Sequence, residues 1–143
     1  MPSYYISSMT ISADYSIANN TQTEIPFNQQ VEAYGATDVS TTNHQLIPLK
    51  TEPFEVSARV WVDGAAGETN MEVTLYLKKS GNVVAQEKTY LSDEGTARLT
   101  GYSETCTNGA PFTLEVKIEG NATKKTLGSG STKTLFQIRK YSA

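Results

Sequence analysis

Residues 53–64, PFEVSARVWVDG, decide the fold because apolar and polar positions alternate through this stretch. The apolar positions are Phe54, Val56, Ala58, Val60 and Val62. A period of two is typical of a β-strand that places one face against a core and the other towards solvent. Trp61, the only tryptophan in the chain, falls on the polar face. The alternation therefore predicts a half-buried strand and gives no reason for a large aromatic ring at position 61.

The same alternation recurs along the chain, interrupted at short intervals by Gly, Asn, Asp, Ser and Pro. Two alternating runs flank the turn SGN at 80–82 and predict a β-hairpin. At the N-terminus, residues 4–17 place their odd-numbered side chains on one face of a strand, and Gly101 indicates a bulge in a later strand. No segment has the pattern of a long helix. We therefore predict one all-β domain over 1–143, an antiparallel jelly-roll sandwich of about eight to ten strands.

The charge distribution argues against nucleic acid as a partner. The chain has 143 residues and a net charge of −3, and its densest basic pairs lie at 78–79 and 124–125. Sequence-independent binding to nucleic acid depends on clustered cations that neutralise phosphates. We interpret the two pairs as residues of strand ends and turns.

The sequence predicts neither a membrane span nor a signal peptide. No window approaches 18 uninterrupted apolar residues, and residues 1–17 lack a basic segment followed by an apolar one. A complete, unprocessed product with no membrane partner is therefore expected. Cys106 is the only cysteine, which leaves no intrachain disulfide and favours assembly in a reducing cytoplasm.

The residues that catalysis or metal binding would need are scarce. His44 is the only histidine and lies in the polar segment TTNHQ, which favours a surface residue. Cys106 has no neighbouring base in the pattern, so an inert thiol is expected. Asp93 and Glu94 could bind calcium or serve as acid and base, but the segment LSDEG favours a solvated turn. We predict no catalytic residue, no metal site and no cofactor.

Several large apolar side chains are out of phase with the core face of their strands. They are Tyr4, Ile6, Trp61, Tyr76, Leu135 and Tyr141. Exposed apolar residues that are scattered singly are ordinary. When they come from neighbouring strands they form a patch, and apolar patches with aromatic side chains mark protein interfaces. We favour an interface over coincidence.

The order of the segments resembles a known family. It runs from EIPFN and PFEVSARVWV, through the hairpin MEVTLYLKKSGNVVAQEKTY, to ARLTGYSETCTNGAPFTLEVKIEG and the closing STKTLFQIRKY. This series resembles the tumour-necrosis-factor-like jelly roll, which complement globular heads and many bacteriophage virion proteins share. The resemblance covers most of the chain.

The resemblance implies a homotrimer in which the inner sheets of three jelly rolls meet around a threefold axis. Trp61, Tyr76, Leu135 and Tyr141 would then be covered by neighbouring subunits. This arrangement would explain a tryptophan on the polar face of its strand. Burial of one such side chain would contribute on the order of 1.5–3 kcal/mol per subunit.

Two functions fit the resemblance. The first is a trimeric capsid decoration protein of a tailed bacteriophage, located in the virion and assembled in the host cytoplasm. Its N-terminal strand, with Tyr4, Tyr5 and Ile6, would pair with an edge strand of the major capsid protein. The alternative is a receptor- or carbohydrate-binding tip of a fibre or tail, because a jelly roll alone does not choose between these roles.

Overall fold

The computed structural model describes residues 6–64, 70–121 and 124–140. In these ranges the chain forms thirteen strands and no helix. The strands are β1 (Ile6–Thr10), β2 (Tyr15–Ala18), β3 (Thr23–Glu24), β4 (Gln29–Tyr34), β5 (Thr37–Ser40), β6 (Gln45–Pro48), β7 (Glu52–Gly64), β8 (Met71–Lys79), β9 (Asn82–Leu91), β10 (Glu94–Cys106), β11 (Phe112–Glu119), β12 (Lys124–Leu127) and β13 (Leu135–Lys140).

The strands form two antiparallel sheets that pack as a jelly-roll sandwich. The first sheet has the order β2-β12-β7-β13-β1-β4, and β10 pairs with the other edge of β7. The second sheet has the order β5-β6-β11-β8-β9, and β3 pairs with β11. The predicted fold class is confirmed. The strand count exceeds the prediction because short strands such as β4, exposed at every position, show no alternation of burial.

The core lies between the sheets and is built by the alternation seen in the sequence. In β7 every second residue from Phe54 to Val62 is buried, and β8 and β11 contribute matching rows from the opposite sheet. The rings of Phe27 and Phe136 stack with their centroids 5.1 Å apart. This contact lets β13 and the loop before β4 share one continuous core.

The predicted hairpin and bulge are both confirmed. β8 and β9 pair in antiparallel register, and Ser80 and Gly81 in their turn have φ values of 49° and 87°. Two successive positive φ angles are typical of the tight turn whose twist matches that of paired strands. In β10 the register with β7 shifts between Leu99 and Tyr102, next to Gly101.

The prediction of one strand over residues 4–17 is wrong for the described part of that range. β1 ends at Thr10, and the next strand, β2, begins at Tyr15 and pairs with β12. β1 lies between β13 and β4, and all five of its residues are buried, so alternation does not describe its environment. Two of its polar side chains are hydrogen-bonded: the hydroxyl of Ser7 lies 2.7 Å from that of Thr37, and the hydroxyl of Thr10 donates to the carbonyl of Thr134 at 2.6 Å. The buried hydroxyl of Ser8 has no hydrogen-bond partner among the described residues.

Candidate interface on the first sheet

The sandwich separates the predicted interface residues onto two opposite surfaces. Trp61 and Leu135 lie on the outer face of the first sheet, where they alternate with the buried residues of β7 and β13. Tyr76 lies on the outer face of the second sheet, opposite Glu115 on one neighbouring strand and Gln86 on the other. One flat contact therefore cannot cover all three side chains. Tyr141 lies outside the described residues.

Trp61 is half-buried, and the chain's own loop at 128–133 contacts its ring. The amide of Gly128 donates a 3.0 Å hydrogen bond to the carbonyl of Trp61, which brings the glycine against the indole. A Cβ on Gly128 would lie 2.8 Å from Trp61 Cδ1. Lys133 Nζ lies 5.9 Å from the ring centroid, within the range of a cation–π contact. The tryptophan thus has an intramolecular role as the platform for this loop.

The loop at 128–133 is also held by a contact with the connection between β1 and β2. The amide of Ser129 donates a 2.9 Å hydrogen bond to a carboxylate oxygen of Asp14 in the β1–β2 connection. The bond stabilises the ionised carboxylate and lowers the pKa of Asp14 below its ordinary value.

The outer face of the first sheet also contains a shallow pocket of about 210 Å³. It lies where β10, β7 and β13 run side by side, and Arg98, Arg59 and Leu135 form one row across these strands. Ser57, Thr100 and Gln137 add hydroxyl and amide groups to the walls. The sequence showed Arg59 on the polar face of its strand. It did not show Arg98 opposite, because that neighbour depends on the register of a strand some forty residues later.

The arginines of this pocket carry little internal pairing. Arg59 donates one hydrogen bond of 2.6 Å from its Nη2 to the carbonyl of Ser131. Its Nε is buried and has no hydrogen-bond partner among the residues that the structure describes. The side chain of Arg98 is exposed and makes no hydrogen bond or ion pair with the described residues. The pocket therefore presents two guanidinium groups that have unused hydrogen-bond donors.

Of the three predicted capsid-contact residues, the structure describes only Ile6. Tyr4 and Tyr5 lie outside the described residues, and Ile6 is 6% exposed. Both edges of β1 are bonded, to β13 on one side and β4 on the other. Strand pairing with another protein needs a free edge, so the described part of β1 offers none for β-augmentation.

The residues that were candidates for catalysis or metal binding make contacts typical of structural residues. Burial raises the pKa of the Cys106 thiol to about 11, so the thiol is protonated near neutral pH. His44 Nδ1 lies 2.8 Å from the carbonyl oxygen of Phe27. Asp93 accepts a 2.8 Å hydrogen bond from the amide of Glu94, as in a capped turn. Among the described residues, no three His, Cys, Asp or Glu side chains group closely enough to hold a metal ion.

A second pocket, of about 330 Å³, lies at the far end of the second sheet. Tyr90 stands at its rim with 74% of its surface exposed and faces Glu72 across the β8–β9 pair. Lys88 forms an ion pair with Glu72, and its hydrogen bond lowers the pKa of that carboxyl. Asn70 and Glu119 complete the polar lining.

No helix in the described ranges is long and apolar enough to cross a membrane.

The two antiparallel sheets form a jelly roll, and this fold is similar to those of solved tumour-necrosis-factor-like proteins. Murine APRIL at pH 8.0 superposes with a TM-score of 0.68 at 14% identity, covering 97% of this chain and 100% of that chain. Murine APRIL at pH 5.0 gives 0.69 at 12% identity with the same coverage. The Eiger TNF from S. frugiperda gives 0.58 at 9% identity, covering 99% of this chain and 94% of that chain. Identities this low show the fold alone.

Sequence comparison adds nothing to this result, because no family model matches the chain and no curated protein matches it.

Proposed function

We propose that the chain is a non-enzymatic assembly protein that acts as a homotrimer through the outer face of its first sheet. The observation that carries this proposal is the row formed by Arg98, Arg59 and Leu135 across three strands. Aromatic side chains and arginine are enriched in the cores of protein interfaces, and Trp61 lies on the same face. The homotrimer is also what the resemblance to tumour-necrosis-factor-like jelly rolls implies.

The specific role that we propose is decoration of a tailed-bacteriophage capsid, with 1–143 acting as one domain and the trimer located in the virion. The support is the order of the sequence segments along the chain, which resembles that of jelly rolls in phage virion proteins. Contact with the major capsid protein would involve Tyr4 and Tyr5, which precede β1. Because Ile6 is buried and β1 has no free edge, this contact would depend on the segment before the strand.

Light scattering after size exclusion, at several protein concentrations, tests the oligomeric state. We expect a stable mass of three times 15.6 kDa. A monomer at every concentration would contradict the homotrimer.

Cosedimentation with undecorated capsid shells tests the role of the N-terminal segment. Removal of residues 1–5 should abolish binding and leave the trimer intact, because the deletion ends before the buried strand β1 begins. Binding that survives this deletion would remove Tyr4 and Tyr5 from the capsid contact.

A carbohydrate-binding role is the second candidate, and the pocket beside Tyr90 favours it. An exposed aromatic ring next to carboxylate and amide groups offers a sugar both a stacking surface and hydrogen-bond acceptors. Screening against a glycan array would test this function with Tyr90→Ala as the variant. Tyr34→Ala is the matched control, because Tyr34 is 63% exposed and lies on β4 of the other sheet. Loss of glycan binding in the first variant only would favour this function over capsid decoration.

A further inference from the structure

Arg59 and Arg98 stand directly opposite each other on paired strands. Like charges in this position repel and destabilise a sheet. Two other cations of the same sheet pair with carboxylates: Arg139 Nη2 lies 2.7 Å from Glu55, and Lys140 lies 3.0 Å from Glu52. The arginine pair differs from these two cations.

Two carboxylates on strands beside the pocket already have partners. Glu55, two positions before Ser57 on the same face of β7, accepts two hydrogen bonds from Arg139. Glu87 binds the amide and the hydroxyl of Thr100 at 2.8 and 3.0 Å. Among the described residues, no carboxylate lines the pocket between the arginines. A carboxylate that pairs with them would therefore come from outside the described part of this subunit.

The walls of the pocket suit a carboxylate in size and in donors. A volume of about 210 Å³ accepts the end of an acidic side chain. The buried Nε of Arg59 has no hydrogen-bond partner within the described ranges, and Arg98 contributes a complete guanidinium fork from the paired strand. Arginine forks bind planar carboxylates through two parallel hydrogen bonds, which is stronger and more specific than contact with a single charge.

We infer that this pocket receives the carboxylate of an acidic side chain from a second copy of the chain. The inference rests on the proposed homotrimer. If a second copy covers Leu135 and the adjacent arginines without bringing an anion, two unpaired charges lose their solvent, which is strongly unfavourable. The chain can supply the partner, since its net charge is −3 and side chains such as Glu94 and Glu32 are exposed.

The test compares charge reversals at two arginines of the same sheet. Arg98→Glu places an acid in the pocket, and because Arg98 is exposed the change should leave the subunit folded. Arg139→Glu is the control, since it makes the same change of charge beside Glu55, outside the pocket. Far-UV circular dichroism verifies folding. Sedimentation over a range of concentrations gives the dissociation constant of the assembly.

We expect Arg98→Glu to raise the dissociation constant by roughly a hundredfold or more, whereas Arg139→Glu should change it less than about tenfold. Restored assembly on combining Arg98→Glu with a Glu→Lys change at an exposed position, such as Glu94→Lys, would identify the donor and support the inference. If Arg98→Glu assembles like the wild type, the inference fails while the homotrimer stands. If the wild type is itself a monomer, the proposed function fails and the inference fails with it.

A free acid is the remaining source of the same chemistry. Calorimetric titration of the wild-type trimer with citrate distinguishes it, using Arg98→Ala as the matched variant. Citrate binding that requires Arg98, in a trimer that the Arg98→Glu change leaves intact, would assign the pocket to a small ligand and overturn the second copy as its occupant.

Discussion

Trp61 shows how a residue that breaks a pattern can be explained by a distant glycine. Its ring lies against Gly128, and a Cβ at that position would lie 2.8 Å from Trp61 Cδ1 and 2.9 Å from Lys133 Cδ. The lysine can move, but the backbone of Trp61 is fixed because its amide donates to the hydroxyl of Thr134 and its carbonyl accepts from the amide of Gly128. We expect Gly128→Ala to lower the free energy of unfolding by about 1–3 kcal/mol.

Thermal unfolding and the fluorescence of the only tryptophan measure this effect together. The control is Thr132→Ala, an exposed change in the same loop that should alter neither signal. Unchanged emission and melting temperature in Gly128→Ala would show that the loop does not press on the ring.

The thiol of Cys106 makes the free energy of unfolding depend on pH. Burial raises the pKa of its thiol to about 11 from an ordinary value of 9.0. A folded-state pKa above the unfolded value means that the folded state holds its proton more tightly. The contribution to stability is therefore complete below pH 9 and is lost as the pH rises through 11.

Denaturant midpoints measured from pH 7 to 11 test this dependence against Cys106→Ala. The wild type should lose more stability than the variant as the pH rises above 9, and its thiol should stay unreactive to Ellman's reagent at pH 8 until the protein unfolds. Rapid labelling of the folded protein at pH 8 would contradict a buried, protonated thiol.

At the scale of elements, the sequence predicted the strands whose two faces differ most. β7 and the β8–β9 hairpin were predicted because one face is buried and the other is not. The environment of β1 was missed because both of its faces are buried, which polar residues such as Ser8 and Thr10 do not signal. Alternation reports a difference between faces, so it fails where a strand has none.

The edge of β10 that faces β9 contains a contact that joins the two sheets. Glu87 on β9 accepts hydrogen bonds from the amide and the hydroxyl of Thr100, beside the bulge in β10. We expect Glu87→Ala to lower the free energy of unfolding by about 1 kcal/mol and to speed hydrogen exchange at the Thr100 amide. Gln86→Ala, at the exposed position next to Glu87 on β9, is the control. Unchanged exchange at Thr100 would mean that the contact is not maintained in solution.

At the scale of the whole molecule, the sequence predicted only part of the candidate interface. The sequence identifies Leu135 and Tyr76 as out of phase with their own core rows, and this local property holds for both. The outer surface on which each residue lies depends on the sheet to which its strand belongs. Strand order does not follow chain order in either sheet. The Arg59–Arg98 pair was missed for the same reason, because strands far apart in sequence bring the two residues together.

This separation of surfaces predicts different behaviour for two residues that the sequence treated alike. Leu135→Lys adds a third cation to the row that contains Arg59 and Arg98, so we expect the assembly to dissociate into folded monomers. Tyr76→Lys, on the outer face of the second sheet, should leave the mass of the assembly unchanged. Light scattering at equal protein concentrations compares them, with far-UV circular dichroism to verify folding. The reverse pattern, with Tyr76→Lys dissociating and Leu135→Lys intact, would move the interface to the second sheet.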